Sequence, residues 1–371
     1  MLQKSSCSNQ RELDEFYRRI TGNDFCVRTL TKGAFTQARA KLSHEVFQEM
    51  DRITRKTFYN EAEYYTWGKF RLLVIDGSTC QLPIHDSIDK EFSSHNFGPN
   101  ADSKKSMARM SLLYDPLNCM TLDAQIASYS TSESALCKQH LQYIGKGDLV
   151  VFDRYYASFD LIDSLFNQKA QFVFRMKENW WNVVHEFQKE SIDDKIVRIQ
   201  TKQGKRAVRL IKYKHKEEGQ MIFCTSLVDK TKYSIEDIAE AYTERWGIEE
   251  GYKTFKNWCE LENFSGKTAL AVKQDFFSKI FMMNLGSAYA HPISEKIKKE
   301  KKGYQINRVQ VVASTRDMPL MLFVKKEIKK AFKLFDEIIG KTIEMVRPNR
   351  SFKRIKRPKL KFNPNSNYKS A

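Results

Sequence analysis

Two short apolar runs that each stop on an aspartate constrain this chain more than any other feature. Phe70-Arg71-Leu72-Leu73-Val74-Ile75 runs into Asp76-Gly77, and Leu149-Val150-Val151-Phe152 runs into Asp153-Arg154. Apolar runs this short, without strict alternation, read as strands buried on both faces of a sheet in an α/β protein. An acid at the end of such a strand stands at the sheet's edge, rigidly held and open enough to bind a cation. Read alone, Asp76-Gly77 serves equally as turn punctuation and Asp153-Arg154 as a surface ion pair.

The rest of the chain fits around these two strands. Residues 31–59 read as two helices, the first with Phe35, Ala38, Arg39 and Leu42 on one face and the second capped by Ser43. Residues 107–114 and 120–129 read as strands joined by the turn Asp115-Pro116-Leu117-Asn118. Helices are expected at 132–144 and 157–168, with a strand at 172–174 between the second helix and a strand-rich stretch at 178–234. A long helix over 235–260 comes next, opened by Ser234 and Asp237 as a capping box, and a helical block continues to about 345.

Charge narrows the partner. The 371 residues carry 63 Lys and Arg against 45 Asp and Glu, a net +18, and residues 341–371 alone hold ten basic residues against one Glu. An excess of that size points to a polyanion, nucleic acid before membrane. The most apolar stretch, 276–290, is interrupted by Ser278, Lys279 and Asn284 and falls short of the roughly 20 apolar residues that a spanning helix needs. The first twenty residues lack the apolar core of a secretory signal. The seven cysteines are scattered, with no C-x-x-C pair, as in a chain whose thiols stay reduced in a cytosol. A cytoplasmic, nucleic-acid-binding protein without a membrane partner is the expectation.

The helix expected over 235–260 adds a chemical face. Tyr242, Arg245, Glu249 and Lys256 stand at offsets 0, 3, 7 and 14, which an ideal helix gathers within an arc of about 60° and a column about 20 Å long. A hydroxyl, a guanidinium, a carboxylate and an ammonium would then share one face, while Glu244 and Glu250 point elsewhere. Glu249 is thus the acid on that face. A solvated face with an Arg245–Glu249 pair accounts for the same pattern.

Taken together, Asp76-Gly77-Ser78-Thr79, Val151-Phe152-Asp153-Arg154 and the spaced Tyr242, Arg245, Glu249 and Lys256 resemble the DDE transposases of bacterial insertion sequences. The spacing is that of the Y-R-E-K hallmark of the insertion-sequence-four family. Residues 34–42 and 262–268 also look like family segments, so the resemblance covers roughly 30–310. Residues 34–42 lie closer to residue 1 than in a full family member, so either part of an end-binding domain is missing or the start is internal.

The resemblance implies an α/β fold with an RNase H-like catalytic core, a β-rich insertion between the second and third acids, and helical N- and C-terminal regions. The implied domains are a helical DNA-binding region at 1–66, the core at 67–177 and 235–300, the insertion at 178–234, and a helical region with a basic tail at 301–371. Asp76, Asp153 and Glu249 would be both catalytic residues and metal ligands, holding two Mg²⁺ ions per site, with Mn²⁺ able to substitute. Such a pair of ions activates water and stabilises the leaving oxygen of a phosphodiester without any His or Cys ligand. Tyr242, Arg245 and Lys256 would grip DNA phosphates, as would Arg154, Arg175 and Lys177. Trp180 and Trp181 are each open to base stacking or to core packing. The partners implied are double-stranded DNA, both element ends and target, and a second copy of the chain as a homodimer on DNA. The protein would be nucleoid-associated when bound. A stand-alone RNase H-like nuclease and a catalytically silent DNA-binding relative are the competing expectations.

Overall fold

The computed structural model describes residues 9–96, 104–177, 180–216 and 219–346. The basic stretch from 347 onward lies outside them. Three helices, α1 (Asn9–Thr21), α2 (Lys32–Ala40) and α3 (Glu45–Glu61), lead into strand β1 (Arg71–Gln81). Helix α4 (Asp86–Phe92), strand β2 (Ser94–Asn96), strands β3 (Lys104–Asp115) and β4 (Met120–Ser128), and helix α5 (Glu133–His140) come next. Strand β5 (Asp148–Phe152), helix α6 (Phe159–Asn167) and strand β6 (Gln171–Met176) complete the first half. Helix α7 (Asn182–Lys189) then opens the stretch expected to be strand-rich, and β7 (Asp194–Thr201), β8 (Gly204–His215) and β9 (Gly219–Thr225) fill it.

Strands β1 to β9 form one mixed sheet in the order β2-β3-β1-β5-β6-β9-β8-β7, with β4 also paired to β3. Strands β1, β5 and β6 are parallel; the others join antiparallel. Side chains alternate across it, as strand geometry requires. Leu72 and Val74 of β1 enter one apolar layer with Leu149 and Val151 of β5, whereas Leu73 and Ile75 enter the opposite layer with Val150 and Phe152. Both layers are covered by helices, which is why these runs read as apolar on every position.

Two sequence expectations change here. Strand β1 does not end at Asp76 but runs on to Gln81, because β3 pairs with it from Val74 to Gln81 while its parallel neighbour β5 stops at Ile75↔Phe152. The helix expected over 235–260 is three pieces: α8 (Ile235–Thr243), α9 (Trp246–Lys253) and a π-turn at Thr254–Trp258. Three-residue backbone bonds, Arg245 to Tyr242, Gly247 to Glu244 and Ile248 to Arg245, tighten the junction of α8 and α9. The π-turn closes with Cys259 N–H on the Thr254 carbonyl. Tyr242 therefore lies on α8, Arg245 at the junction, Glu249 on α9 and Lys256 in the π-turn, not on one continuous α-helix.

Helix α10 (Ala269–Glu300) carries the apolar stretch 276–290 through the layer on the Leu72 side, where it packs on α3 and β4. No helix among the described residues is long and apolar enough to cross a membrane. Arg39 of α2 is buried against it. Its guanidinium bonds the Ala271 carbonyl, Asp275, Gln274 and Ser265, so it joins helices instead of offering a charge to a ligand. The described residues close with the hairpin β10 (Tyr304–Ile306) and β11 (Ile343–Met345) enclosing α11 (Arg308–Thr315) and α12 (Ile328–Lys341), so the block expected to be wholly helical carries two short strands.

Candidate active site

Asp76 and Asp153 each occupy the position after the last paired residues of β1 and β5, Ile75 and Phe152. Alternation puts both on the Leu72 side of the sheet, and parallel neighbours are spaced by about 4.8 Å. The two acids therefore stand side by side where the sheet opens. The Gly77 N–H donates to Asp76 Oδ1 at 2.8 Å, and the Arg154 N–H donates to Asp153 Oδ1 at 2.7 Å.

Helix α9 lies across this opening and brings Glu249. It can approach because its inner face carries glycines. A Cβ on Gly247 would stand 2.4 Å from the Pro116 Cβ, and one on Gly251 would stand 3.0 Å from the Tyr114 ring. Glu249 keeps about a third of its side chain exposed and faces Arg245, whose Nη2 is 3.5 Å from Glu249 Oε1. Arg245 is 8% exposed, and its Nε is buried without a hydrogen-bond partner among the described residues. Burial works against its charge, but Tyr242, Asp153, Asp76 and Glu249 all favour it and together push its pKa up. One guanidinium is thus within electrostatic reach of all three acids.

Burial raises the Asp76 carboxyl to about 6, and the charges of Glu133 and Asp153 push the same way against the Gly77 N–H and Arg245. Among the described residues, no three Asp, Glu, His or Cys side chains are drawn into a ready-made metal cage. The donors around Arg245 are nonetheless all hard oxygens, and a carboxylate held this far above its ordinary range lacks compensating positive charge. That donor set fits a divalent cation such as Mg²⁺.

Glu133 was not foreseen. It comes directly after the α5 cap Ser132 and looks like an ordinary first-turn acid, but its side chain crosses Gly77 so closely that a Cβ there would lie 2.7 Å from Glu133 Cγ. Arg109 of β3 holds its Oε1 at 2.8 Å. Nothing local in the sequence signals that contact.

The remaining expected residues separate into two groups. Arg154, Arg175, Lys177 and Trp180 line one cleft of about 560 Å³ beside Asp153, with Gln220 and Ile222 of β9. The Lys177 ammonium lies 4.0 Å from the centre of the Tyr155 ring and 4.4 Å from that of Trp180. Trp181, by contrast, is 8% exposed and stacks on Phe159 at 4.5 Å. The pair precedes helix α7, with Trp181 at its N-cap. Tyr242 is buried as well, its ring 4.9 Å from Phe223. Lys256 reaches back to β1, where Ser78 Oγ and the Thr79 carbonyl each accept from its ammonium at 2.7 Å.

A family model described as the transposase DDE domain matches residues 67–285. The transposase InsG for insertion sequence element IS4 of Escherichia coli (strain K12) is 22% identical over 293 residues, 74% of this chain and 64% of that protein. The putative transposase InsZ of the same strain is 26% identical over 160 residues, 42% of this chain and 52% of that protein. The chain therefore spans less than two thirds of the length of either curated relative. A cryo-EM structure of the piggyBac transposase synaptic complex with hairpin DNA aligns over 88% of this chain and 67% of that one, at 14% identity and a TM-score of 0.45.

Proposed function

The chain belongs to the transposase DDE domain family, and from that premise we propose that it excises and inserts an insertion sequence by metal-dependent DNA cleavage and strand transfer. The observation that carries this reading is the register that sets Asp76 and Asp153 side by side at the sheet opening, with the Arg245 guanidinium acting on both and on Glu249 of α9. The core is read as RNase H-like: β4-β3-β1-β5-β6 is an antiparallel meander followed by two parallel strands. Strands β7, β8 and β9, which fall between the second and third acids, are read as the family's insertion. The domain limits are those read from the sequence: 1–66, 67–177 with 235–300, 178–234 and 301–371.

Asp76, Asp153 and Glu249 would hold two Mg²⁺ ions, or Mn²⁺ in their place. When bound, the ions supply an activated hydroxyl nucleophile and neutralise the leaving oxygen. The chain's own part is to orient and shield. Gly77 and Arg154 N–H groups fix the two aspartates, and Arg245 neutralises them until a phosphate arrives to share its charge. The cleft of Arg154, Arg175, Lys177 and Trp180 suits the DNA strand next to the scissile phosphate, with Trp180 and Tyr155 offering faces for an unstacked base. Tyr242, Lys256 and Trp181 support this surface from within. The basic residues from 341 onward add sequence-independent affinity. Cutting two ends in one reaction calls for at least a homodimer on double-stranded DNA, acting in the cytoplasm at the nucleoid.

The test is direct. A duplex carrying the DNA that flanks this chain's coding sequence is incubated with the protein and Mg²⁺. Cleavage at the element boundary that leaves a 3′-hydroxyl and vanishes with chelator is expected. Cleavage at random positions would favour a stand-alone nuclease, and binding without cleavage a silent DNA-binding relative.

A further inference from the structure

The strand of the first acid and the helix of the third are tied together by a residue that lies between Glu249 and Lys256 but is none of the four spaced letters. Tyr252 lies one turn past Glu249 on α9, and its hydroxyl donates to the Asp76 carbonyl oxygen at 2.8 Å. The residue is 7% exposed. Ser111 Oγ also approaches that carbonyl, at 3.4 Å. Ser111 is itself 2.9 Å from His140 Nε2, and His140 Nδ1 is 2.7 Å from Asp123 Oδ2. Two buried polar chains, one from α9 and one from β4 through α5, thus end on a single oxygen.

That oxygen belongs to the peptide joining Asp76 to Gly77. The N–H of the same peptide is the group that donates to Asp76 Oδ1 at 2.8 Å. A peptide unit is a rigid plane, so a tilt that moves its carbonyl end also moves the N–H that aims the carboxylate. The Tyr252 bond therefore acts at one end of a short lever whose other end carries the first acid. On the helix side it acts close to Glu249, with Gly251 pressed on the Tyr114 ring so that α9 has no slack.

We propose that Tyr252 is a positioning residue of the transposase reaction, its hydroxyl setting the placement of the Asp76 carboxylate relative to Glu249 through the Asp76–Gly77 peptide. It touches neither DNA nor the reacting atoms, and the proposal rests on the catalytic reading of the three acids. Partners that orient metal-binding groups typically matter by 10- to 100-fold, and Tyr252 acts one bond further back.

The experiment uses the full chain with Tyr252→Phe, which keeps the ring and deletes the hydroxyl. Single-turnover cleavage of the flanking-DNA duplex is measured against Mg²⁺ concentration, and the rise in Tm caused by Mn²⁺ is measured without DNA. The variant is expected to cleave about tenfold more slowly at limiting Mg²⁺, to need roughly fivefold more Mg²⁺ for half-saturation, and to lose most of the Mn²⁺-induced rise. Its affinity for the duplex should stay within about twofold of wild type. An unchanged Mg²⁺ requirement and an unchanged Mn²⁺ response would overturn the proposal, whatever the rate. If Tyr252→Phe does not fold, Ser111→Ala removes the other donor to the same carbonyl; a raised Mg²⁺ requirement supports the proposal and an unchanged one overturns it. Wild-type protein that cleaves nothing with Mg²⁺ would instead defeat the transposase reading, and the Mn²⁺ arm would still decide the role of Tyr252.

Discussion

Gly247 of α9 and Pro116 of the β3–β4 turn are in such close contact that a single added carbon on the glycine would lie 2.4 Å from the proline's Cβ. The proline ring is rigid and cannot fold away. Gly247→Ala should therefore destabilise the protein by about 1–2 kcal/mol, because overpacking outweighs the helix propensity gained. Glu249 would shift with the helix, so cleavage should fall by more than the folded fraction does. Gly340 of α12 is the control: nothing lies within 4 Å of its missing Cβ, and Gly340→Ala should stabilise by about 0.5–1 kcal/mol. Urea unfolding of the two variants measures both signs.

Asp76 sets a pH dependence. Burial first, then Glu133 and Asp153, raise its carboxyl from 3.8 in a free chain to about 6 in the fold. Because the folded value lies above the unfolded one, the folded protein binds more protons across that window. Stability should fall as pH rises from about 4 to about 6, with the whole cost present above it. Asp76→Asn should then stabilise the metal-free protein by about 1–3 kcal/mol at pH 8 and by almost nothing at pH 4. Denaturant titrations at the two pH values provide the comparison, and equal gains at both would contradict the assignment.

Glu249 and Glu250 are adjacent acids with different surroundings. Glu249 faces Arg245 with 34% of its side chain exposed, whereas Glu250 is 67% exposed and paired with Lys253 at 3.2 Å. Glu249→Gln should reduce cleavage by roughly a hundredfold or more and leave duplex binding nearly intact. Glu250→Gln should stay within about twofold, as a surface pair contributes little. The reverse result would move the third acid to the neighbouring position.

The two tryptophans should part company in the same way. Trp181→Ala removes a buried ring stacked on Phe159 and should cost about 3–5 kcal/mol of stability. Trp180→Ala strips an exposed ring beside Lys177. It should leave the melting temperature nearly unchanged while weakening binding of hairpin or frayed DNA ends by about 1–3 kcal/mol. Thermal melts and fluorescence titrations separate the two effects.

The features legible in the sequence are those written in adjacent residues. The runs before Asp76 and Asp153 announce buried strands because both sheet faces are covered, and the same alternation puts both acids on one face. The pairing Ile75↔Phe152 that sets them side by side is non-local and leaves no local mark. The close approach of Gly247 to Pro116 is hidden because the proline lies in a distant turn. Arg39 shares a helix face with Phe35, Ala38 and Leu42, and the Gln274 and Asp275 that bond its guanidinium there lie far along the chain. Glu133 and Tyr252 resemble ordinary helix residues, and their importance lies wholly in the groups they touch.

Strand β1 is held by two ladders that overlap only at Val74 and Ile75, parallel to β5 before them and antiparallel to β3 after. Parity along this strand is therefore a constraint on how the chain can change its length. One residue inserted between Arg71 and Ile75 would turn every later side chain of β1 over, sending Asp76 towards α5 and Gly77 towards α9. Two residues would restore the facing but carry the acid past its neighbour on β5. Unless a bulge takes up the extra residue, as at Leu113–Tyr114 in the neighbouring ladder, either change displaces the acid, and residues 71–81 form a ruler whose divisions are read by the acid.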